Sequence, residues 1–269
     1  MTNDCSDLKQ RYDSIALSGD DKTTACDYNL RDLEIAYGLE FIRDGDAVLD
    51  VGCGPGVALC HYASKRNIDA VGIDYSQNMV DFAQQRAAKT ADDLRISFQC
   101  ASVDELPFDG GRFDVVTSHR CLMALLDWER QQKALLDIHR VLKPGGVYVM
   151  MEGTFDGLDR LNFYRRKFNL PEIEADGRDR LLTLKFHENQ LTDFCAHYFE
   201  LVRTQRFGMY YFLTRIVQPL LVGPENPRYD HPLNEVAKQI AGVIPDFESI
   251  GHLVGLAWRK RTDAAATEA

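Results

Sequence analysis

The sequence has 269 residues, of which 45% are hydrophobic and 27% are charged, and its formal net charge is −10. This composition is ordinary for a soluble globular protein, and the length suits one large α/β domain or two small ones. The acidic balance disfavours nonspecific binding to nucleic acid, which requires basic surface. We therefore expect no nucleic-acid partner, unless a local basic patch exists.

The seven cysteines are scattered, without a C-x-x-C pair or the His–Cys spacing of a metal site. The sequence thus predicts no metal centre. Its first residues, MTND, show no signal peptide, so we expect reduced thiols and a cytoplasmic location. No apolar run approaches the roughly 20 residues of a membrane span, so no membrane partner is expected. The oligomeric state is left open.

The first 44 residues are predicted to form a helical cap ahead of one domain over residues 45–269. Residues 1–27 are polar. Apolar side chains then recur at a helical period, namely at Leu30, Leu33, Ala36, Tyr37 and Phe41. This period predicts a helix over residues 28–43.

A short strand and a glycine turn follow. Apolar residues flank Asp50 in AVLDV, and glycines then stand at Gly52, Gly54 and Gly56. Glycine adopts positive φ readily and lets a ligand approach the main chain closely. A helical pattern begins at Val57, and strand, glycine turn and helix together are typical of a nucleotide-binding α/β unit. The spacing is G-x-G-x-G, whereas dinucleotide enzymes have G-x-G-x-x-G.

Two further predicted strands end at polar residues. Asp69–Asp74 is apolar and ends in an acid 18 residues after Gly56. An acid there can accept two hydrogen bonds from a ribose diol. Ser76 is placed to cap the helix that follows. The strand over residues 113–118 leads directly to His119.

The rest of the chain continues the alternation of strands and helices. We predict a third strand over 94–100, a helix from about 128 that stops at KPGG (143–146), a fifth strand over 147–151, a helix over 187–197, a sixth strand from 199 and a last strand over 251–258. Such alternation predicts a mostly parallel sheet covered on both faces. Two segments, about 153–185 and 210–249, interrupt it.

Three segments, in this order, resemble motifs of the class I S-adenosylmethionine-dependent methyltransferases, and in particular their small-molecule branch. They are VLDVGCGPG (48–56), GIDYSQNMV (72–80) and HRVLKPGGVYVMME (139–152). The resemblance covers about residues 45–153. It implies a Rossmann-like, doubly wound, mostly parallel seven-stranded sheet with helices on both faces and insertions after strands 5 and 6. It also implies S-adenosyl-L-methionine as cofactor and in-line methyl transfer to an oxygen or nitrogen nucleophile of a small-molecule acceptor.

The resemblance further implies which residues bind the cofactor. The amino-acid part would lie at the glycine turn, the ribose at Asp74 and the adenine beside the loop after the third strand. The candidate residues are Asp50, Gly52, Cys53, Gly54, Asp74, Tyr75, Met79, Ser102 and Val103. Asp50 either orients the turn through its backbone or holds the methionyl ammonium through water.

The loop after the third strand departs from the family pattern. The family usually has Asp where this chain has Ser102, to accept a bond from the adenine amino group. Ser102 can accept that bond as well, with the Val103 backbone N–H serving the ring, or Asp104 substitutes for it.

His119 is the candidate catalytic residue. In this family the end of the fourth strand faces the transferred methyl. A histidine titrates near neutral pH, so it can take the proton of an oxygen acceptor. The alternative is that His119 only contacts the cofactor or the neighbouring loop.

The acceptor side is predicted to be built by the two interrupting segments. Arg165 or Arg166 would hold an anionic group of the acceptor, or else lie on a solvated helix face. In related enzymes the N-terminal segment covers the cofactor, which makes Tyr28, Asn29 and Arg31 candidate lid contacts. A helix merely packed on the sheet is the simpler interpretation.

Two other functions are compatible with such a sheet. A nicotinamide-dependent oxidoreductase is one, although the glycine spacing argues against it. The other is a non-catalytic subunit that binds S-adenosylmethionine, and a closed or absent acceptor pocket would indicate it.

Overall fold

A computed structural model of the protein describes residues 10, 12–16, 27–90, 94–174, 183–223, 228–246 and 249–262. Its strands are β1 (Ala47–Val51), β2 (Asp69–Asp74), β3 (Ile96–Cys100), β4 (Phe113–His119), β5 (Leu142–Gly153), β6 (Phe199–Gln205) and β7 (Leu253–Lys260). Its main helices are α1 (Tyr28–Leu39), α2 (Val57–Lys65), α3 (Gln77–Thr90), α4 (Trp128–Val141), α5 (Phe155–Lys167), α6 (Glu188–Ala196), α7 (Gly208–Phe212), α8 (Gln218–Val222) and α9 (Pro232–Ala241). A short 3₁₀ helix spans Leu122–Ala124 and a π-helical turn spans Leu213–Val217.

The strands form one seven-stranded sheet of order β3-β2-β1-β4-β5-β7-β6. Strands β1 to β5 pair in parallel, whereas β7 runs antiparallel between β5 and β6. The chain order reverses between β1 and β4, and ligands of open α/β sheets bind at such a switch point, beyond the carboxyl ends of the strands. The predicted fold class is confirmed.

Neighbouring residues of the central strands point into different hydrophobic clusters. Val48 belongs to one cluster and Leu49 to the other, and Val115 and Val116 divide in the same way. The first cluster includes side chains of α1, α2 and α3, and the second includes side chains of α4 and α6. Both faces of the sheet are therefore covered, as a parallel sheet requires.

Several element bounds differ from those predicted, and three of the differences have a local cause in the structure. Helix α1 ends at Leu39 because Phe41 and Ile42 donate to carbonyls three residues back, which tightens the last turn. Strand β3 begins at Ile96, whose N–H donates to the carbonyl of Leu94 in a local turn. Strand β5 already begins at Leu142, directly after α4, because that residue pairs with β4 before the register shifts.

The two predicted insertions contain further helices. In the first, α5 is capped at its N-terminus by Thr154, whose Oγ1 accepts the N–H of Gly157 at 3.1 Å. The second contains α7, the π-helical turn, α8 and α9, and it contacts α1. Residues 175–182, 224–227 and 247–248 of these insertions lie outside the described residues. The division into a cap and one domain stays a prediction. Among the described helices, none has the length and apolar character needed to cross a membrane.

Candidate functional site

A cavity opens at the carboxyl ends of the central parallel strands. The ends of β1, β2 and β4, the loop after β3 and part of α1 form its walls. It is lined by the nine candidate cofactor-binding residues and the candidate catalytic residue, namely Asp50, Gly52, Cys53, Gly54, Asp74, Tyr75, Met79, Ser102, Val103 and His119. The fold therefore brings four separate sequence segments to one place, while the binding roles of these residues stay predictions.

The glycine turn needs glycine for two different reasons. Gly52, Gly54 and Gly56 all have left-handed backbone, with φ of 66°, 50° and 74°. A Cβ on Gly52 would collide with the side chain of Cys121, whereas a Cβ on Gly54 would meet no atom within 4 Å. Gly54 thus lines the cavity with bare backbone, which a ligand can approach closely.

Asp74 is tied to the glycine turn through its carboxylate. Its Oδ2 accepts the N–H of Gly54 and its Oδ1 accepts the N–H of Ser76, both at 2.9 Å. Burial raises the pKa of this carboxyl to about 6, although the two N–H groups oppose the rise. Since a carboxylate oxygen has more than one lone pair, each oxygen can accept a further bond from a ligand in the cavity.

Asp50 lies deeper, at the end of β1. Its Oδ1 accepts the hydroxyl of Thr117 on the neighbouring strand β4 at 2.7 Å. Burial raises the pKa of Asp50, while His119 and the Thr117 hydroxyl act in the opposite direction. The Asp50 carboxylate therefore forms a hydrogen bond with a side chain on the other side of the switch point.

The loop after β3 presents Ser102 and Val103 to the cavity. Ser102 Oγ donates to Asp104 Oδ1, and the other carboxylate oxygen of Asp104 accepts Arg130 Nε at 2.9 Å. Asp104 is buried and does not line the cavity. Ser102, and not Asp104, consequently faces a ligand there.

Two buried side chains flank His119. Its Nε2 lies 3.1 Å from the hydroxyl of Tyr62, which comes from α2. Its Nδ1 is buried and has no hydrogen-bond partner among the described residues, and Glu34 Oε2 of α1 lies 4.0 Å away. Both ring nitrogens thus face the protein in this conformation.

Arg120 follows His119 in the sequence and lines the cavity on the side of α1. Its backbone is left-handed, with φ of 56°, which is uncommon for a residue with a side chain. This conformation places its guanidinium 2.9 Å from the fully buried Glu34. The positive charge of Arg120 is therefore paired within the protein.

Glu152, at the end of β5, holds the loop that follows Arg120. Its carboxylate accepts the N–H groups of Cys121, Leu122 and Met123 at 2.9–3.0 Å and the hydroxyl of Ser118 at 3.2 Å. Burial raises the pKa of Glu152 to about 7, against the effect of these four donors. The loop so held contributes Cys121, Ala124 and Leu125 to the cavity.

The central part of the chain matches known proteins. Residues 48–146 match the family model described as a methyltransferase domain. The 27-O-demethylrifamycin SV methyltransferase of Amycolatopsis mediterranei is 37% identical over 106 residues, which are 39% of this chain and 38% of that relative. The ubiquinone/menaquinone biosynthesis C-methyltransferase of Geobacter sp. strain M21 is 33% identical over 132 residues, 47% of this chain and 54% of that relative.

Residues 48–146 are therefore a methyltransferase domain. The chain spans about half, or less, of the length of the curated relatives described above. A chain of the complex between the Haloferax volcanii Trm112 methyltransferase activator and a methyltransferase superimposes with a TM-score of 0.63. That match covers 93% of this chain and 96% of the other at 19% identity, and so it supports the fold alone.

Some residues of the cavity wall were not predicted from the sequence. Of the three candidate lid contacts, Arg31 lines the cavity, whereas Tyr28 and Asn29 do not. The wall residues not predicted include Tyr12, Ile35, Arg120, Cys121, Leu125 and Arg130. Ile35 follows Arg31 by four residues and so lies on the same face of the helix. The candidate lid contact at Arg31 could therefore have predicted that Ile35 also faces the cavity. For Tyr12 we find no sequence signal.

The two insertions lie away from this cavity where the structure describes them, since none of their described residues lines it. Arg165 is buried and donates to the carbonyl oxygens of Pro171, at 2.7 Å, and Arg215. Arg166 forms an exposed ion pair with Glu172 at 2.7 Å. A role of either arginine or either insertion towards the acceptor stays a prediction.

Proposed function

We propose that this protein transfers a methyl group from S-adenosyl-L-methionine to an oxygen or nitrogen nucleophile of a small-molecule acceptor, by in-line displacement. One observation carries the proposal. The glycine turn, Asp74, Ser102 and His119, which are far apart in the sequence, line the same cavity at the switch point of the sheet.

The groups in this cavity fit the cofactor part by part. Gly54 lines it with backbone that no side chain covers, which suits the amino-acid part. Asp74 has lone pairs left for a ribose diol. Ser102 and the buried Val103 line the cavity from the loop after β3, and we place the edge of the adenine ring against that loop.

When bound, S-adenosylmethionine supplies a methyl group already activated by its sulfonium. The protein then contributes mainly alignment of the acceptor nucleophile with that methyl group. His119 either takes the proton of an oxygen acceptor or orients the acceptor. As a base, His119 has to turn Nε2 away from the Tyr62 hydroxyl, because its other nitrogen is buried.

Two features support a small molecule as acceptor. The relatives named for demethylrifamycin and for ubiquinone/menaquinone biosynthesis share the central part of this chain. The net charge of −10 also disfavours a polyanion such as nucleic acid. We also propose a cytoplasmic location, where free thiols such as those of Cys53, Cys60 and Cys195 normally stay reduced.

Calorimetric titration with S-adenosylmethionine, S-adenosylhomocysteine and NAD tests the cofactor. We expect the first two to bind and NAD not to bind. Binding of NAD alone would contradict the proposal and favour the nicotinamide-dependent alternative.

A transfer assay tests the reaction itself. The probe is S-adenosylmethionine labelled in its methyl group, offered with a panel of phenols and small amines. We expect label in at least one acceptor. A protein that binds the cofactor and labels no acceptor would favour the non-catalytic alternative.

A further inference from the structure

Ser102 is the first member of a hydrogen-bonded series that runs through the buried Asp104 to Arg130, another residue of the cavity wall. Its hydroxyl donates to Asp104, and Asp104 accepts Arg130 Nε on its other oxygen at 2.9 Å. The Asp104 side chain is only 12% exposed, so water competes little for its oxygens. The backbone of Arg130 is fixed in the first turn of α4, where Asp127 Oδ1 accepts its N–H at 3.2 Å.

This series sets the direction of the Ser102 hydroxyl. The guanidinium of Arg130 only donates, so Asp104 must accept on that side. Burial raises the pKa of Asp104, but the bonds from Arg130 and Ser102 outweigh it and leave the pKa below its ordinary value. An ionised carboxylate only accepts, so the hydroxyl hydrogen of Ser102 is directed at Asp104.

We infer that Asp104 makes Ser102 a hydrogen-bond acceptor towards the cavity, so that the pair reads the exocyclic amino group of the adenine ring. This inference rests on the proposed function. The lone pairs of Ser102 Oγ are what the hydroxyl still offers to a ligand, and an amino group is a donor. Asp104 is a positioning residue here, because it acts through Ser102 and does not line the cavity.

The hydrogen bonds between Ser102, Asp104 and Arg130 also predict how an amide in place of the Asp104 carboxylate would turn the Ser102 hydroxyl. In Asp104→Asn, Arg130 Nε–H still requires an oxygen opposite it, so the amide oxygen faces Arg130 and the NH₂ group faces Ser102. Ser102 then accepts from the amide, and its own hydrogen points into the cavity. A ligand amino group would meet a donor instead of an acceptor.

The test is calorimetric binding of S-adenosylhomocysteine and of its analogue in which hydrogen replaces the 6-amino group. This analogue keeps the ring nitrogen beside C6 as an acceptor, so contacts to that nitrogen do not change. We expect the wild-type protein to prefer the amino compound by about tenfold, the value of one hydrogen bond lost in a desolvated site. Ser102→Ala should bring the ratio close to one, and Asp104→Asn should bring it to one or below.

Ser97→Ala is the matched control, because Ser97 is an exposed serine of β3 that does not line the cavity. It should keep the wild-type ratio. Thermal melting of each variant shows that it is folded. The ratio separates reading of the amino group from a general loss of structure, which would weaken both ligands equally.

Three results would overturn the inference. They are a wild-type ratio near one, a wild-type ratio preserved in Ser102→Ala, and a wild-type ratio preserved in Asp104→Asn. A wild-type protein that binds neither ligand would contradict the proposed function itself. The two failures are therefore distinguishable.

Discussion

At the scale of single residues, Asp74 is the side chain proposed to bind the ribose of the cofactor, and its carboxylate lines the cavity. Replacement by Ala should weaken binding of S-adenosylhomocysteine by about 1.5–3 kcal/mol, because bonds to an ionised carboxylate are lost. Asp69→Ala, at the other and exposed end of β2, should leave the affinity unchanged. Calorimetry decides, and equal affinities for wild type and Asp74→Ala would remove Asp74 from the site.

The raised pKa of Asp74 adds a pH dependence to this binding. A ribose diol donates to the ionised carboxylate, so the ligand favours the form present above a pKa of about 6. The affinity should therefore fall as the pH drops through about 6, and Asp74→Asn should show no such fall there. Titrations at several pH values check this, and parallel profiles for the two proteins would contradict it.

His119 is the residue whose role the conformation constrains most. If it is the base, His119→Ala should lower turnover of an oxygen acceptor about 10²–10⁴-fold. Affinity for S-adenosylhomocysteine should stay nearly constant, because the loss is confined to the transition state. Normal turnover in the variant would exclude the base, and collapse of cofactor binding would make His119 a cofactor contact.

At the scale of elements, one carboxylate attaches the loop after β4 to the end of β5. Burial raises the pKa of Glu152 from 4.5 to about 7, so its contribution to stability is present at low pH and is lost as the pH rises through about 7. Glu152→Gln carries a neutral group of the same shape at every pH. The melting temperature of the wild type relative to this variant should fall between about pH 4.5 and about pH 7 and then level off.

Thermal melts of both proteins over this range measure that difference. Other titrating groups, Asp74 included, are common to the two proteins and cancel in the comparison. A difference that stays constant with pH would show that Glu152 does not change its ionisation on folding.

At the scale of the whole molecule, α1 is joined to the second insertion by two ion pairs of very different burial. Asp27, the N-cap residue of α1, accepts the Tyr210 hydroxyl at 2.5 Å and pairs with Arg215, and both charged side chains are buried. Asp32 pairs with Lys238 at 2.9 Å, but its side chain is 49% exposed. The two aspartates therefore provide a matched comparison within one connection.

Asp27→Ala should lower the free energy of unfolding by about 3–5 kcal/mol, because it leaves Arg215 buried without its counter-ion. Asp32→Ala should cost about 0–1 kcal/mol, as for other exposed pairs. Urea denaturation measures both. Asp27→Ala should also weaken cofactor binding, since α1 carries Arg31 and Ile35 of the cavity wall. Equal costs for the two variants would mean that the buried pair does not secure α1.

The sequence by itself determined the sheet and the place of the site. Alternating apolar segments specify strands and helices locally, and the polar residues that end β1, β2 and β4 must meet at the carboxyl edge of a parallel sheet. That rule needs no knowledge of packing. It is why Gly54, Asp74 and His119 could be placed beside one another before any contact between them was known.

Only the tertiary structure decided what these residues face. The ring nitrogens of His119 face Tyr62 and Glu34, which lie on two helices far from it in the sequence. The direction of the Ser102 hydroxyl likewise depends on Arg130, in a helix after the next strand. Such partners follow from how helices pack on the sheet, and helix packing depends on many side chains together and leaves no local pattern in the chain.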